Sequence, residues 1–195
     1  AGANGSIERK TRRIIDAEGR MILEEIDEGG EGIPDVRFMF EYDIEGRISA
    51  QEQDSDGDGF PDVRREFGYG VADRLVSESI YSRPEDVLLE RTIYTYGSAD
   101  WPVTVEHYEG PEQRLAWQFE AVYDDLGRPI ERVIQNIDEA RTQHSSLVYD
   151  DAGRISREEF DADADGQLEA RIVKSYDQWN RITAIETDID ADDVI

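Results

Sequence analysis

The chain repeats itself with a period of 27 residues, and this period restricts the fold more than any other feature. The segment Asp27–Arg37 reads DEGGEGIPDVR, and Asp54–Arg64, which starts 27 residues later, reads DSDGDGFPDVR. Tyrosine recurs at one position of the repeat, as Tyr42, Tyr69, Tyr96, Tyr123, Tyr149 and Tyr176. A regular period of this length is typical of stacked supersecondary units that share a continuous core.

Seven complete copies and one truncated copy account for residues 1–195, so we predict a single repeat array. The step from Tyr123 to Tyr149 is the one step that is a residue short. Because the last copy is truncated, we expect the chain to be excised from a longer array. The copies are 1–26, 27–53, 54–80, 81–107, 108–134, 135–160, 161–187 and the truncated 188–195.

The residue pattern within each copy predicts one β-hairpin. Apolar residues at every second position from Val36 to Tyr42 have the two-residue period of a half-buried strand. A turn follows, in which the position of Gly46 holds Gly, Asn or Asp in every complete copy, the residues that best tolerate positive φ. We therefore predict an all-β fold: about seven hairpin repeats in a twisted, coiled antiparallel meander sheet, with closure into a tube left open.

The turn motif Tyr-Asp-x-x-Gly-Arg resembles the YD repeat of RHS-type bacterial proteins. It stands here as Tyr42–Ile48, Tyr123–Pro129 and Tyr149–Ile155, with looser forms at Ile15–Met21 and Tyr176–Ile182. The resemblance implies long β-sheets in surface or secreted proteins, some of which enclose toxin cargo and some of which mediate contact. The acidic loops between the hairpins depart from the family pattern.

Two of these loops have the spacing of a calcium site. Carboxylates at positions 1, 3, 5 and 9, with Gly at 6 and a backbone carbonyl at 7, provide the hard oxygen ligands that Ca²⁺ prefers. Position 12 does not hold the Glu of an EF-hand, so we expect weak sites. The predicted ligands are Asp54, Asp56, Asp58, the Phe60 carbonyl and Asp62 in copy 3, and Asp161, Asp163, Asp165, the Gln167 carbonyl and Glu169 in copy 7.

Other copies retain only part of this set, and we predict weaker metal sites there. Copy 2 keeps three acids but has Gly29 at position 3, and the truncated copy lacks the Gly. The weaker candidates are Asp27, Glu31 and Asp35 in copy 2 and Asp188, Asp190 and Asp192 at the chain end.

The charge of −26, from 47 acidic and 21 basic residues, disfavours nucleic acid and anionic membranes as partners. No apolar run is long enough to span a membrane, and the absence of Cys excludes thiolate chemistry. The two histidines, His107 and His144, belong to no recognisable catalytic motif. We therefore do not expect an enzyme.

Copies 4 to 6 lack the acidic loops, and their aromatic residues predict a patch for a protein or glycan partner, formed by Trp101, Tyr108 and Trp117. Together these features predict a calcium-binding repeat module outside the cell or on a bacterial surface, which acts as a rigid spacer or adhesive surface. Two alternatives stay open: a segment of an RHS-like toxin shell, and a hydrolase that uses clustered carboxylates.

Overall fold

The computed structural model describes residues 9–98 and 100–189, which form one sheet of fourteen antiparallel strands in chain order. Strands β1 and β14 are the two ends of this order, so the described part of the sheet is not closed by pairing between its first and last strands. The predicted all-β meander is therefore confirmed. The strands are β1 Lys10–Ile15, β2 Met21–Asp27, β3 Val36–Tyr42, β4 Ile48–Asp54, β5 Val63–Tyr69, β6 Leu75–Ser82, β7 Val87–Tyr96, β8 Pro102–Glu109, β9 Arg114–Tyr123, β10 Pro129–Asn136, β11 Arg141–Tyr149, β12 Ile155–Asp161, β13 Ala170–Tyr176 and β14 Ile182–Ile189, with a 3₁₀ turn at Val71–Asp73.

The chain divides into two compact units. The first holds the described residues up to Thr92 together with Glu109–Gln113, and the second holds Ile93–Tyr108 and the described residues from Arg114 onward. Acidic loops of copies 2 and 3 lie in the first unit, and the acidic loop of copy 7 lies in the second.

In five hairpins one aspartate holds the turn together. In the first unit, Asp43 Oδ1 accepts the backbone N–H groups of Glu45 and Arg47, at 3.0 and 2.9 Å, while the Arg47 Nε donates to Oδ2 at 2.7 Å. Gly46 has a φ of 83°, as the turn requires. The same aspartate–arginine arrangement recurs in the pairs Asp16–Arg20, Asp124–Arg128, Asp150–Arg154 and Asp177–Arg181.

Five of the recurring tyrosines, Tyr42, Tyr69, Tyr123, Tyr149 and Tyr176, connect their copy to the preceding one. The Tyr69 hydroxyl donates to the Ile48 carbonyl at 2.9 Å, and the Arg47 guanidinium lies 4.4 Å from the centre of the Tyr69 ring. A cation over an aromatic face is attracted by the ring quadrupole. The same stack, with a distance of 4.4–4.7 Å, joins Arg20 to Tyr42, Arg128 to Tyr149 and Arg154 to Tyr176.

The most deeply buried positions of the sheet include acidic residues as well as apolar ones. Among the described residues, the buried apolar side chains are Ala50, Ala116, Ala121 and Leu147. The buried acidic side chains are Asp27, Asp54, Asp161 and Asp188, each of which is the first residue of an acidic segment. Buried charges require partners because desolvation disfavours the ionised form, and Asp27, Asp54 and Asp161 find them in backbone N–H groups of the loops that follow.

Candidate metal-binding loops

Each acidic loop connects two adjacent strands and begins at the last residue of the first strand. The backbone N–H of the ninth loop residue donates to the carbonyl of the residue that precedes the leading aspartate, which closes the loop at its base. These bonds join Asp35 to Ile26 at 2.8 Å, Asp62 to Gln53 at 2.8 Å and Glu169 to Phe160 at 2.9 Å. The acidic loops of copies 2, 3 and 7 are therefore closed by the same backbone hydrogen bond.

The leading aspartate of copy 3 is the centre of its loop. Asp54 is 0% exposed, and its Oδ1 accepts the Gly57 N–H at 2.7 Å. Its Oδ2 accepts the Gly59 N–H at 2.9 Å and the Arg37 Nη1 at 2.8 Å. Burial raises the pKa of Asp54, but the bonds from Arg37 and the loop backbone outweigh burial, so the pKa is lower than its ordinary value. Asp54 is thus held as a carboxylate.

Copy 7 contains the more complete acidic cluster. One carboxylate oxygen from each of Asp161, Asp163, Asp165 and Glu169 lies within 4.8 Å of the others. The leading Asp161 is buried and accepts the backbone N–H groups of Asp165 and Gly166, at 3.2 and 2.9 Å. All four acids predicted from the sequence are therefore brought together, in a geometry that suits a hard cation with oxygen ligands.

Copy 3 forms a smaller cluster. Oxygens of Asp54, Asp56 and Asp58 lie within 4.8 Å of one another, and Asp62 is not part of this group. The Asp62 Oδ2 accepts the Ser55 N–H at 2.7 Å. Three of the four predicted carboxylates therefore converge in this copy.

The remaining loop residues are ordered by local hydrogen bonds. The N–H of position 7 donates to the carboxylate of position 5 in both loops, from Phe60 to Asp58 and from Gln167 to Asp165, at 2.8 Å each. Ligation through the carbonyls of Phe60 and Gln167 stays a prediction.

The weaker candidates form no such group among the described residues. In copy 2, Asp27 accepts the N–H groups of Glu31 and Gly32, and Asp35 accepts the Glu28 N–H at 2.7 Å, so the loop is closed by the same bonds. Asp188 is buried at the end of β14. The predicted ligands Asp190 and Asp192 lie outside the described residues.

The predicted aromatic patch is divided between two places in the second unit. Trp101 is 64% exposed and lies beside an open cavity of about 680 Å³ that is also lined by Val103, Tyr123 and Leu126. Trp117 instead stacks on His107, with ring centres 5.2 Å apart. Since Trp101 directly precedes β8 and His107 lies six residues further along the strand, about 20 Å separates them.

Tyr108 directly follows His107, so it lies at the end of β8 where Trp117 of β9 stacks on His107. Both Tyr108 and Trp117 are half-buried. Partner binding by these residues stays a prediction. No helix in the described part of the chain is long and apolar enough to cross a membrane.

Comparison with known proteins assigns no family to the chain. No family model matches it, and no curated protein matches it. Among solved structures, TcdB2–TccC3–TEV matches with a TM-score of 0.38 and 11% identity over 94% of this chain and 12% of that chain. A porin-like protein from Bacteroides uniformis matches with a TM-score of 0.37 and 16% identity, over 69% of this chain and 52% of that chain. A porin-like protein from Bacteroides vulgatus has a TM-score of 0.31 and 12% identity, with 94% and 92% coverage.

These TM-scores and identities assign neither a family nor a function. The chain spans only about an eighth of the TcdB2–TccC3–TEV chain. The fold and the loops define the class directly: an antiparallel β-hairpin meander in which some connections between hairpins present clustered carboxylates.

Proposed function

We propose that this chain is a calcium-binding β-hairpin repeat module of the YD type, which acts outside the cell as a rigid spacer or adhesive surface and not as an enzyme. The observation that supports it most is the cluster of four carboxylates in copy 7, whose oxygens lie within 4.8 Å of one another. Copy 3 repeats three of these positions at equivalent places in the sequence.

The chemistry of the cluster favours calcium over other biological cations. All donors are carboxylates, whereas thiolate and imidazole ligands, which favour zinc, are not part of either group. Carboxylates this close repel one another, and a bound divalent cation converts the repulsion into attraction. Flexible loops with several oxygens suit the larger, less strictly octahedral Ca²⁺ better than Mg²⁺.

A spacer role follows from where the loops lie in the sheet. The copy 7 loop joins β12 to β13, and its leading Asp161 is buried. Binding of an ion at this loop would hold two consecutive hairpins in one arrangement. The described residues bury few large apolar side chains, so stiffness supplied at the connections has a large effect on the array.

The YD assignment is supported by the turns. Asp43 and its counterparts bind the turn backbone and the following arginine, and the motif tyrosine Tyr42 bonds to the preceding copy. These contacts explain why Tyr, Asp, Gly and Arg recur together. They equally suit a segment of a toxin shell, which is our second candidate, and the domains encoded beside this chain would separate the two.

Thermal unfolding with and without calcium tests the proposal. At a free calcium concentration of ten times Kd, one site stabilises the fold by about 1.4 kcal/mol, which corresponds to a rise in Tm of about 3–6 °C for a chain of this size. The double variant Asp163→Asn, Asp165→Asn should lose most of the rise that copy 7 contributes. The matched control is Asp125→Asn, Asp151→Asn, which removes two exposed turn carboxylates.

The control should retain the full calcium response, since its charge change is the same and its residues lie outside the loops. Equal Tm values in calcium and in chelator for the unmodified chain would refute the proposal.

A further inference from the structure

Two basic side chains reach from one copy into the acidic loop of the next. The Lys10 Nζ donates to the Gly30 carbonyl at 2.8 Å, and the Arg37 Nη1 donates to the Gly57 carbonyl at 3.1 Å. Gly30 and Gly57 are both the fourth residue of their loops. Each basic residue also stands directly opposite the leading aspartate in the β-ladder, Lys10 opposite Asp27 and Arg37 opposite Asp54.

Arg37 goes further into its loop than Lys10. Its Nη1 also lies 2.8 Å from the Oδ2 of the fully buried Asp54, so one guanidinium nitrogen bridges a ligand carboxylate and a loop carbonyl. The Arg37 Nε lies 3.4 Å from Glu25. The hydrogen bond to Asp54 is the main reason why the pKa of Arg37 is raised above its ordinary value. A cation is therefore already present in the copy 3 loop.

The copy 7 loop has a different residue at the same place. His144 stands opposite Asp161 in the ladder, where copies 2 and 3 have Lys and Arg. Asp161 accepts hydrogen bonds from loop backbone, and within the described residues no Arg or Lys side chain donates to it. The nearest comparable contact is made by Arg141, which donates to the Ala162 carbonyl at 3.4 Å.

We propose that Arg37 is a built-in cation of the copy 3 loop, which a divalent ion must displace from Asp54 before it can bind. This inference rests on the proposed function and concerns how the two loops differ. Copy 7, which has one more clustered carboxylate and no competing guanidinium, fills at lower calcium concentration. Copy 3 keeps its form without calcium because Arg37 holds the carboxylate and the carbonyl together.

Calcium titration of the full chain by isothermal calorimetry tests this difference. The background Asp163→Asn, Asp165→Asn removes the copy 7 site, and copy 3 is then the one carboxylate cluster left among the described residues, so the main remaining heat reports on copy 3. Adding Arg37→Met should tighten calcium binding in this background about tenfold, since a hydrogen bond between charged groups no longer has to be broken. Arg37→Gln, which removes the charge but keeps an amide donor for Gly57, serves if the methionine variant does not fold.

Arg64→Met is the matched control. Arg64 lies 27 residues after Arg37 and loses the same charge, but it pairs with Glu41, Glu52 and Glu66 instead of a loop. In the Asp163→Asn, Asp165→Asn background, adding Arg64→Met should leave the calcium affinity unchanged. An Arg37 variant that binds no more tightly than the background would overturn the inference and leave the proposed function intact. Absence of calcium binding by every protein, the unmodified chain included, would overturn both.

Discussion

The loops of copies 2 and 3 touch at Gly57, and this contact gives a sharp test of the structure. A Cβ atom at Gly57 would lie 2.0 Å from the Pro34 carbonyl oxygen, which belongs to the preceding loop. The φ of Gly57 is +73°, a conformation that alanine adopts only with strain. Gly57→Ala therefore introduces two separate penalties, one from the backbone conformation and one from overlap with a neighbouring backbone atom.

The two penalties can be estimated separately. Positive φ costs an alanine about 1 kcal/mol, and Ala164, with a φ of 60°, shows that alanine is accepted at this loop position in copy 7. Forcing a methyl group against packed backbone costs about 1–3 kcal/mol more. The sum is about 2–4 kcal/mol, which lowers the Tm by about 4–16 °C for a chain of this size.

Gly110→Ala isolates the backbone penalty. Gly110 has a φ of +71°, nearly that of Gly57, but a Cβ there would meet nothing within 4 Å. We expect this variant to lose about 1 kcal/mol, and its Tm should lie well above that of Gly57→Ala in thermal unfolding followed by circular dichroism. Equal Tm values for the two variants would refute the contact between the loops.

Two further predictions concern the recurring tyrosines and the aspartates of the YD turns. Tyr69→Phe removes the hydrogen bond to the Ile48 carbonyl but keeps the ring under Arg47, so the free energy of unfolding should fall by about 1 kcal/mol in urea denaturation; an unchanged value would mean that the hydroxyl does not connect the copies. Bonds from the Arg128 side chain and backbone lower the pKa of Asp124 in the folded state, so its stabilising effect is complete above the unfolded pKa of about 4 and is lost as pH falls below it. The Asp124→Asn variant lacks this carboxylate. Its free energy of unfolding should therefore fall less steeply than that of the unmodified chain as the pH is lowered from about 5 to about 3.

Much of the fold follows from local chemistry and was accessible from sequence. The turn at Asp43 to Arg47 needs an acceptor, a residue with positive φ and a cation at fixed spacing, and all three are visible in one copy. Strand alternation predicted the hairpins, and the 27-residue period predicted their order. The acids of the copy 7 loop were also predicted correctly as a group, because nine consecutive residues contain the whole cluster.

Contacts between copies could not be read in the same way. The period predicts one row of equivalent arginines and one row of equivalent tyrosines across the sheet. It does not predict that the Arg47 guanidinium lies over the ring of Tyr69 in the next copy. The aromatic residues of the predicted patch show the same limit: Trp101 directly precedes β8, whereas Trp117 of β9 stacks on His107 near the other end of β8. Antiparallel pairing, not sequence separation, decides which residues meet.

A β-hairpin array with acidic loops in some copies can be read from the amino-acid sequence, since turn geometry and strand alternation depend on neighbouring residues. How the charge of those loops is neutralised depends on the pairing of the strands. Strand register places Arg37 against Asp54 and His144 opposite Asp161, so two loops of similar sequence have different electrostatic surroundings. The reason is that the interaction between charges depends on their separation in space and on burial, both of which are set when the strands pair.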